Sequence, residues 1–186
     1  SWSDKHKMRL GVARDITRIK AAEEMQNSLI AISDTAHRTN GIKQICQQIL
    51  FHLDSHISIA TFGVEVSPIN DSKWHTIFES VGGCMHMLKN EVKLRIASDN
   101  QIALEKIDDK LMLLVPLVFD EESHGIIGLA LMEQDYSLNE NDRALLTFTA
   151  LQVATAIERH QRFERLQHLA LYDALTGFAQ SGIISG

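Results

Sequence analysis

Residues 111–132 read LMLLVPLVFDEESHGIIGLALM, and this stretch decides the fold. Two apolar runs, Leu111–Phe119 and Gly125–Met132, lie on either side of the polar pentapeptide DEESH. Short apolar runs separated by a polar break are typical of two antiparallel strands that are buried on both faces. Pro116 cannot donate a backbone hydrogen bond to a neighbouring strand, so we expect it at a sheet edge or near a bulge. The remaining segments are expected to cover this hairpin.

Upstream of the hairpin, the sequence predicts a helix, a second hairpin and another helix. Apolar residues recur at helical spacing over residues 42–53. Ile57–Val66 is β-branched and aromatic, and Trp74–Ser80 alternates in polarity, so these two segments are expected to be paired strands. Cys84–Ala97 carries an apolar stripe that predicts one helix, and Ile102–Ile107 is expected to be a short strand.

A long helix is predicted downstream of the hairpin. Ser137 or Asn139 can cap its start, and the helical pattern continues without a break to Leu171. A helix of some 30 residues is about 45 Å long, which is more than one small domain can cover. The part of the helix that extends beyond the domain is therefore expected to contact a partner.

Two terminal helical stretches carry narrow apolar seams with spacings of three and four, as at the a and d positions of a coiled coil. The seam residues are Ala22, Met25, Leu29 and Ile32 in the first stretch and Phe163 and Leu166 in the second. The first helix has two interpretations: it packs on its own domain, or it pairs with its copy in a second chain. We predict a homodimer that forms through both helices.

Composition limits the classes of protein to which the chain can belong. A length of 186 residues suits one core with extensions, and a net charge of −6 gives no reason to expect a nucleic-acid partner. No apolar run approaches the roughly 20 residues that cross a bilayer, and no signal-peptide pattern is present, so we expect a cytoplasmic protein without membrane contact. Cys46 and Cys84 are far apart, which favours a reducing compartment over a disulfide framework.

The predicted order of elements indicates an α+β fold, in which an antiparallel sheet has helices on both faces and long N- and C-terminal helices. Two stretches, LLVPLVF with GIIGLAL and SLNENDRALLTFTALQVATAIE, then resemble the hairpin and the closing helix of GAF domains. Asp142 stands at the usual acidic position of that closing helix. The resemblance covers Ile57–Glu158 and implies a GAF/PAS-like fold.

The flanking segments resemble parts of two other signalling domains. GVARDITRIKAAEE, residues 11–24, is similar to the end of a PAS domain. RLQHLALYDALTGF, residues 165–178, resembles the first motif of a GGDEF (diguanylate cyclase) domain, although residues 178–181 depart from it. These resemblances imply a PAS end at 1–17, a helical linker at 18–40, a GAF domain at 41–160, and a linker helix with the start of a GGDEF domain at 161–186.

The GAF resemblance implies a small-molecule pocket between the sheet and a lid segment that crosses it. By position, this lid is Cys84–Asn100, which is Met-rich and apolar on one stripe. An alternative is that the same residues simply fill the core. The residues expected to line the pocket are Phe62, Trp74, Phe78, Met87, Val115 and Leu117.

No catalytic group of residues is recognisable in the chain, so we expect that it is not an enzyme by itself. Gly82-Gly83 lacks the Lys-Ser/Thr that would follow in a phosphate-binding loop. His52 and His56 lie one helical turn apart, but no third metal ligand is near them in sequence. Cys84 lacks the Asp-Ile-Pro signature of bilin-binding GAF domains. The cofactor is therefore unknown, with no haem, bilin or metal signature.

Together, the resemblances imply a sensory module of a bacterial signalling protein. Such a module would bind an unknown small molecule and relay the signal through its helices to a GGDEF output domain that makes cyclic-di-GMP. One alternative is a ligand-free dimerisation spacer, which a side-chain-filled space beneath the lid would favour. Another is an enzyme with the GAF fold, which would need a reactive Cys84.

Overall fold

A five-stranded antiparallel sheet forms the centre of the fold. The computed structural model describes residues 16, 19–32, 34, 41–69, 71–119 and 123–181. The strands are β1 (Ile59–Pro68), β2 (His75–Glu79), β3 (Ala103–Ile107), β4 (Lys110–Val118) and β5 (Ser123–Leu131). Their order in the sheet is β2-β1-β5-β4-β3. The predicted hairpin of β4 and β5 is confirmed, and β5 is the central strand.

Helices cover both faces of this sheet. The helical segments are α1 (residues 19–32), α2 (Ile42–Asp54), α3 (Asn90–Asp99) and α4 (Glu140–Ser181), with a 3-10 turn at Met85–Met87. The side covered by α1, α2 and α4 is called the helix face, and the side covered by the 3-10 turn and α3 is called the lid face. The predicted α+β fold with helices on both faces is therefore confirmed.

The two faces have separate apolar cores because side chains alternate along each strand. In β4, Leu113, Val115 and Leu117 point to the helix face. Met112 and Leu114 of the same strand point to the lid face. Adjacent residues of one strand thus contact opposite layers of the fold.

Pro116 lies where its missing N–H has little consequence. It pairs with Ile126 of β5 on one side. On the other side, the last pair with β3 is Ala103 with Leu114, so Pro116 lies beyond the end of β3. The expectation of an edge position is confirmed.

The lid is not one helix, so the prediction of a continuous helix over Cys84–Ala97 was wrong. The 3-10 turn ends at Leu88, where the backbone becomes extended, and Lys89 is also extended before α3 begins. Met85 and Leu88 are buried against the sheet from this turn. An apolar stripe of three- and four-residue spacing does not distinguish a 3-10 turn followed by a helix from a single helix.

The start of α4 is fixed by side chains of the preceding loop. The side-chain oxygen of Asn139 accepts a hydrogen bond from the backbone N–H of Asp142 at 2.8 Å, so Asn139 is the residue that caps the helix. The hydroxyl of Tyr136 donates to the carboxylate of Asp142 at 2.5 Å. From this anchor, α4 runs for 42 residues, about 63 Å, which is longer than predicted.

The first helix packs on its own domain. Ile32 is 0% exposed and belongs to the core of the helix face, while Met25 and Leu29 are partly buried against that core. Ala22 is exposed. Ile32 is thus a core residue of its own chain and not the dimer contact that the seam predicted. The segment interpreted as a linker contributes to the core.

None of the helices in the described ranges is both long enough and apolar enough to span a membrane. Residues 1–15 and 17–18, which make up nearly all of the PAS end implied at 1–17, lie outside the described residues.

Candidate functional site

The surface of the sheet beneath the lid, called the floor, is built mainly from β1 and β5. Along β1, Phe62, Val64 and Val66 point to the helix face. The residues that alternate with these three are small or polar, and they point to the lid face because successive side chains of a strand point in opposite directions. They are Thr61, Gly63, Glu65 and Ser67, all of them buried. One strand therefore presents an apolar surface to one layer and a polar, partly side-chain-free surface to the other.

Met85 fills the centre of this floor. Gly63 of β1 and Gly128 of β5 are direct partners across the two strands. A β-carbon added at Gly63 would lie 2.2 Å from Cγ of Met85, and one added at Gly128 would lie 2.7 Å from its Sδ. Both distances are shorter than any van der Waals contact allows. Met85 can therefore pack directly against the sheet only because both positions are glycine.

A buried ion pair joins the lid to the sheet beside Met85. Nζ of Lys93 in α3 donates to Oε2 of Glu65 in β1 at 2.5 Å, and the two residues are only 5% and 6% exposed. The hydroxyl of Thr76 donates to the other carboxylate oxygen of Glu65 at 3.2 Å. The Trp74 ring centroid lies 5.9 Å from the same Nζ. The Lys93 ammonium thus contacts a carboxylate and an aromatic ring away from bulk water.

Cys84 is held at the edge of the floor by backbone contacts. Its thiol donates to the carbonyl of Gly128 at 3.6 Å. The next residue is also anchored, because the N–H of Met85 donates to the Glu79 carboxylate at 2.9 Å. Burial raises the pKa of the Cys84 thiol above its ordinary value of 9.0. A raised thiol pKa is the opposite of what a nucleophilic cysteine needs.

We expect both cysteines of the folded protein to be inert towards Ellman's reagent. Burial raises the pKa of Cys46 from 9.0 to about 12 and that of Cys84 in the same direction, so both thiols are less ionised than an exposed cysteine and both are shielded from the reagent. Absorbance at 412 nm should report no fast thiol in the native protein and two after unfolding in urea. One fast thiol in the native protein would contradict this burial and would favour the enzyme hypothesis.

The six residues predicted to line a pocket do not surround one cavity. Phe62, Val115 and Leu117 are in the core of the helix face, and Phe78 packs against that core. Only Trp74 packs on the lid-face core, and Met87 is half-buried in the 3-10 turn. The predicted pocket is therefore wrong as a set, because its residues lie on both faces of the sheet. The ring centroids of Phe62 and Phe78 lie 5.8 Å apart on the far side from the lid.

Met85 belongs to the predicted apolar stripe of the lid, but sequence reasoning missed the three residues that meet it beneath the lid, namely Gly63, Glu65 and Lys93. Two signals for them were present. The alternation Thr-x-Gly-x-Glu-x-Ser over residues 61–67 marks a strand with one polar face. Lys93 directly follows the apolar stripe residue Val92 in a segment that crosses the sheet.

A groove of about 680 Å³ opens at a different place, on the helix face. It lies between the part of β4 beyond β3 and the first turns of α4. Val115 is the one predicted pocket residue that lines it. The lining is mostly apolar and includes Ile102, Pro116, Val118, Phe148 and Leu151. From the lid segment Cys84–Asn100, the lining of this groove includes only the last residue, Asn100.

The described residues contain no group of three or more His, Cys, Asp or Glu side chains placed to hold a metal ion. The His52 and His56 pair has no third ligand in this part of the chain. Instead, Nε2 of His56 lies 2.6 Å from the hydroxyl of Ser28, which ties α1 to the end of α2.

The second predicted dimer segment lies on the exposed part of α4. Over residues 140–179, where the burial of the helix is described, Ile157 is the last buried residue. Phe163 and Leu166 are 57% and 65% exposed. Further exposed apolar residues follow at Leu169, Leu171, Tyr172 and Leu175.

Solved structures with a similar fold include several GAF domains. The GAF domain of a phosphoenolpyruvate-protein phosphotransferase from Coxiella burnetii superposes with a TM-score of 0.61 at 11% identity, over 77% of this chain and 98% of that one. The GAF domain of a protein described as a sensor histidine kinase from Pseudomonas syringae pv. tomato gives 0.62 at 17% identity, over 84% and 98%. A methyl-accepting chemotaxis protein fragment gives 0.52 at 13% identity, over 71% and 98%.

No protein-family model matches the chain, and no curated protein matches it significantly. At these identities, the likeness is one of fold. The arrangement of five antiparallel strands, lid and closing helix in this chain is the fold of GAF domains.

Proposed function

We propose that the chain is a regulatory module of a signalling protein, in which a change beneath the lid alters the position of α4. One observation carries this proposal: the same sheet has the lid on one face and the start of a 42-residue helix on the other. The similarity to GAF domains, including one from a protein described as a sensor histidine kinase, supports a sensory role.

Strand β4 provides the path between the two layers. Leu114 contacts the lid-face core, and its neighbours Leu113 and Val115 contact the core that includes α4. Closely packed interiors transmit displacement rather than absorb it. A ligand that lifted the lid would shift β4, and the helix packed on β4 would move with it.

The proposed module is a homodimer that forms through α4. Beyond Ile157, the helix exposes large apolar side chains over residues 163–175, where no sheet lies beneath them. An unsupported helix of this kind is marginal in water, and a second copy of the same stripe would cover it.

The proposed output is a GGDEF domain that makes cyclic-di-GMP. Support comes from the resemblance of residues 165–178 to the first motif of such domains, at the end of the helix that leaves the GAF-like fold. Two cyclase domains must face each other to join two GTP molecules, so the splay of two α4 helices would control activity. The chain itself would contribute no catalytic residue.

A second candidate function is that of a ligand-free dimerisation spacer. The observation that favours it is the contact of Met85 with Gly63 and Gly128, which fills the middle of the lid-face floor. Native mass spectrometry of protein purified from cells distinguishes the two. A retained small molecule supports the sensor, and a bare polypeptide mass after gentle purification supports the spacer.

We expect light scattering at micromolar concentration to show that the chain is a dimer. A variant that ends at residue 160 should be a monomer with a mass near half that of the dimer. The chain mass is 20.9 kDa, so the expected masses of the full chain are about 42 kDa for a dimer and about 21 kDa for a monomer. Leu166→Glu should also weaken the dimer because it places a carboxylate in the apolar stripe.

The matched control for this experiment is Gln167→Glu, which adds the same charge at the next exposed position. It should leave the dimer intact. A monomeric full chain would overturn the dimer proposal, and so would equal effects of the two glutamates.

A further inference from the structure

The groups that surround the Lys93 ammonium all lie outside the lid, in β1, in β2 and at the residue just before β2. The groups around its ammonium are the Glu65 carboxylate of β1, the Trp74 ring before β2 and, through the second carboxylate oxygen, the Thr76 hydroxyl of β2. None of these three residues is on the lid. If the lid lifted, the ammonium would leave, and the acceptor groups would remain together.

Stability alone does not account for this arrangement. A buried ion pair is often no more stabilising than a well-packed apolar pair of the same size, because both charges lose their hydration. The Glu65–Lys93 pair differs from an apolar contact in its chemistry, since it selects a positive charge at that point. A carboxylate and an aromatic ring converging on one nitrogen are groups that recognise an organic ammonium ion.

We propose that Glu65, Trp74 and Thr76 form a binding site for a primary ammonium group, and that Lys93 is its intramolecular occupant in this conformation. The ligand class is a small primary ammonium compound, whose charged group would take the position of Lys93 Nζ. This inference rests on the proposed sensory function, because it names the chemistry of the ligand that enters beneath the lid. Release of Lys93 by such a ligand would break the ion pair that joins α3 to β1.

The proposal can be tested by removal of the Lys93 side chain and addition of a small ammonium compound to the solution. Lys93→Ala deletes the atoms from Cγ to Nζ, which correspond to propylammonium. We expect propylammonium chloride to raise the thermal unfolding midpoint of this variant by about 3 °C or more relative to tetramethylammonium chloride at equal ionic strength. The bulky quaternary ion has no N–H to donate to Glu65. The wild-type protein reports the general effect of each salt.

The double variant Glu65→Gln with Lys93→Ala is the matched control, because it keeps the vacated space and removes the negative charge. Its midpoint should respond equally to the two salts. A propylammonium response as large in this control as in Lys93→Ala would overturn the site, and so would no response in either variant. If Lys93→Ala is unfolded, propylammonium should restore its helical circular dichroism, and failure to do so would also overturn the site.

A second readout reports on Trp74 directly. The chain has two tryptophans, so the Trp2→Phe background leaves Trp74 as the single indole. Propylammonium should change Trp74 fluorescence in Lys93→Ala with saturation, and an unchanged spectrum would count against contact with the ring. Failure of the ammonium site while native mass spectrometry shows a retained small molecule would leave the proposed function standing, because the ligand would then belong to another chemical class.

Discussion

Replacement of Lys93 by methionine is expected to lower the free energy of unfolding by about 3–5 kcal/mol. Methionine keeps much of the length of the side chain but removes its charge. The Glu65 carboxylate, 6% exposed, would then be buried with the Thr76 hydroxyl as its one hydrogen-bond donor among the described residues. Urea unfolding followed by circular dichroism gives the free energy by linear extrapolation.

Two further variants define what this loss means. The double variant Glu65→Met with Lys93→Met should recover most of the stability, because an apolar pair replaces an unpaired charge. Lys89→Met changes an exposed lysine of the same lid and should alter stability by no more than about 0.5 kcal/mol. A loss below about 1 kcal/mol for Lys93→Met would mean that water reaches Glu65 and that the pair is not buried.

Replacement of Gly63 by alanine is expected to destabilise the protein by about 1–3 kcal/mol, although alanine is usually harmless in place of glycine. The added methyl group would lie 2.2 Å from Cγ of Met85, so Met85 must rise from the sheet or the strands must separate. Met85→Ala alone should cost about 2–5 kcal/mol because it leaves a cavity. Thermal or urea unfolding of each variant measures these losses.

The double variant Gly63→Ala with Met85→Ala should lose less than the sum of its two single variants, since the new methyl group enters the space that Met85 leaves. Gly177→Ala serves as the control because no heavy atom lies within 4 Å of its added β-carbon and its backbone is helical. That change should stabilise α4 by about 0.5–1 kcal/mol. Strictly additive losses would show that Met85 is not the group that alanine at position 63 meets.

The sequence predicted the fold wherever local periodicity carried enough information. The β4–β5 hairpin was evident from two short apolar runs. The sequence also placed the cap of α4 at Ser137 or Asn139, and the structure shows that it is Asn139. The long closing helix was evident from its unbroken pattern. These features depend on residues that are near one another in the chain, which is why a pattern could find them.

The candidate site depends on contacts that no local pattern contains. Strand β4 is buried on both faces, so its continuous apolar run gives no alternation from which to assign a side. The predicted pocket therefore mixed Val115, which points to α4, with Trp74, which lies by the lid. Glu65 and Lys93 are 28 residues apart in the chain, and only the crossing of the lid over the sheet brings them together.

Because α4 is continuous, it fixes the direction in which its exposed side chains point as well as their distance from the domain. Its core residues up to Ile157 set the rotation of the helix about its axis, and the exposed side chains from Phe163 onward inherit that angle. One residue inserted between these two positions would turn the exposed stripe by about 100°, whereas seven would return it to within about 20° of its present angle. The surface that α4 presents to a neighbour is thus determined by helical phase, which is set inside the domain.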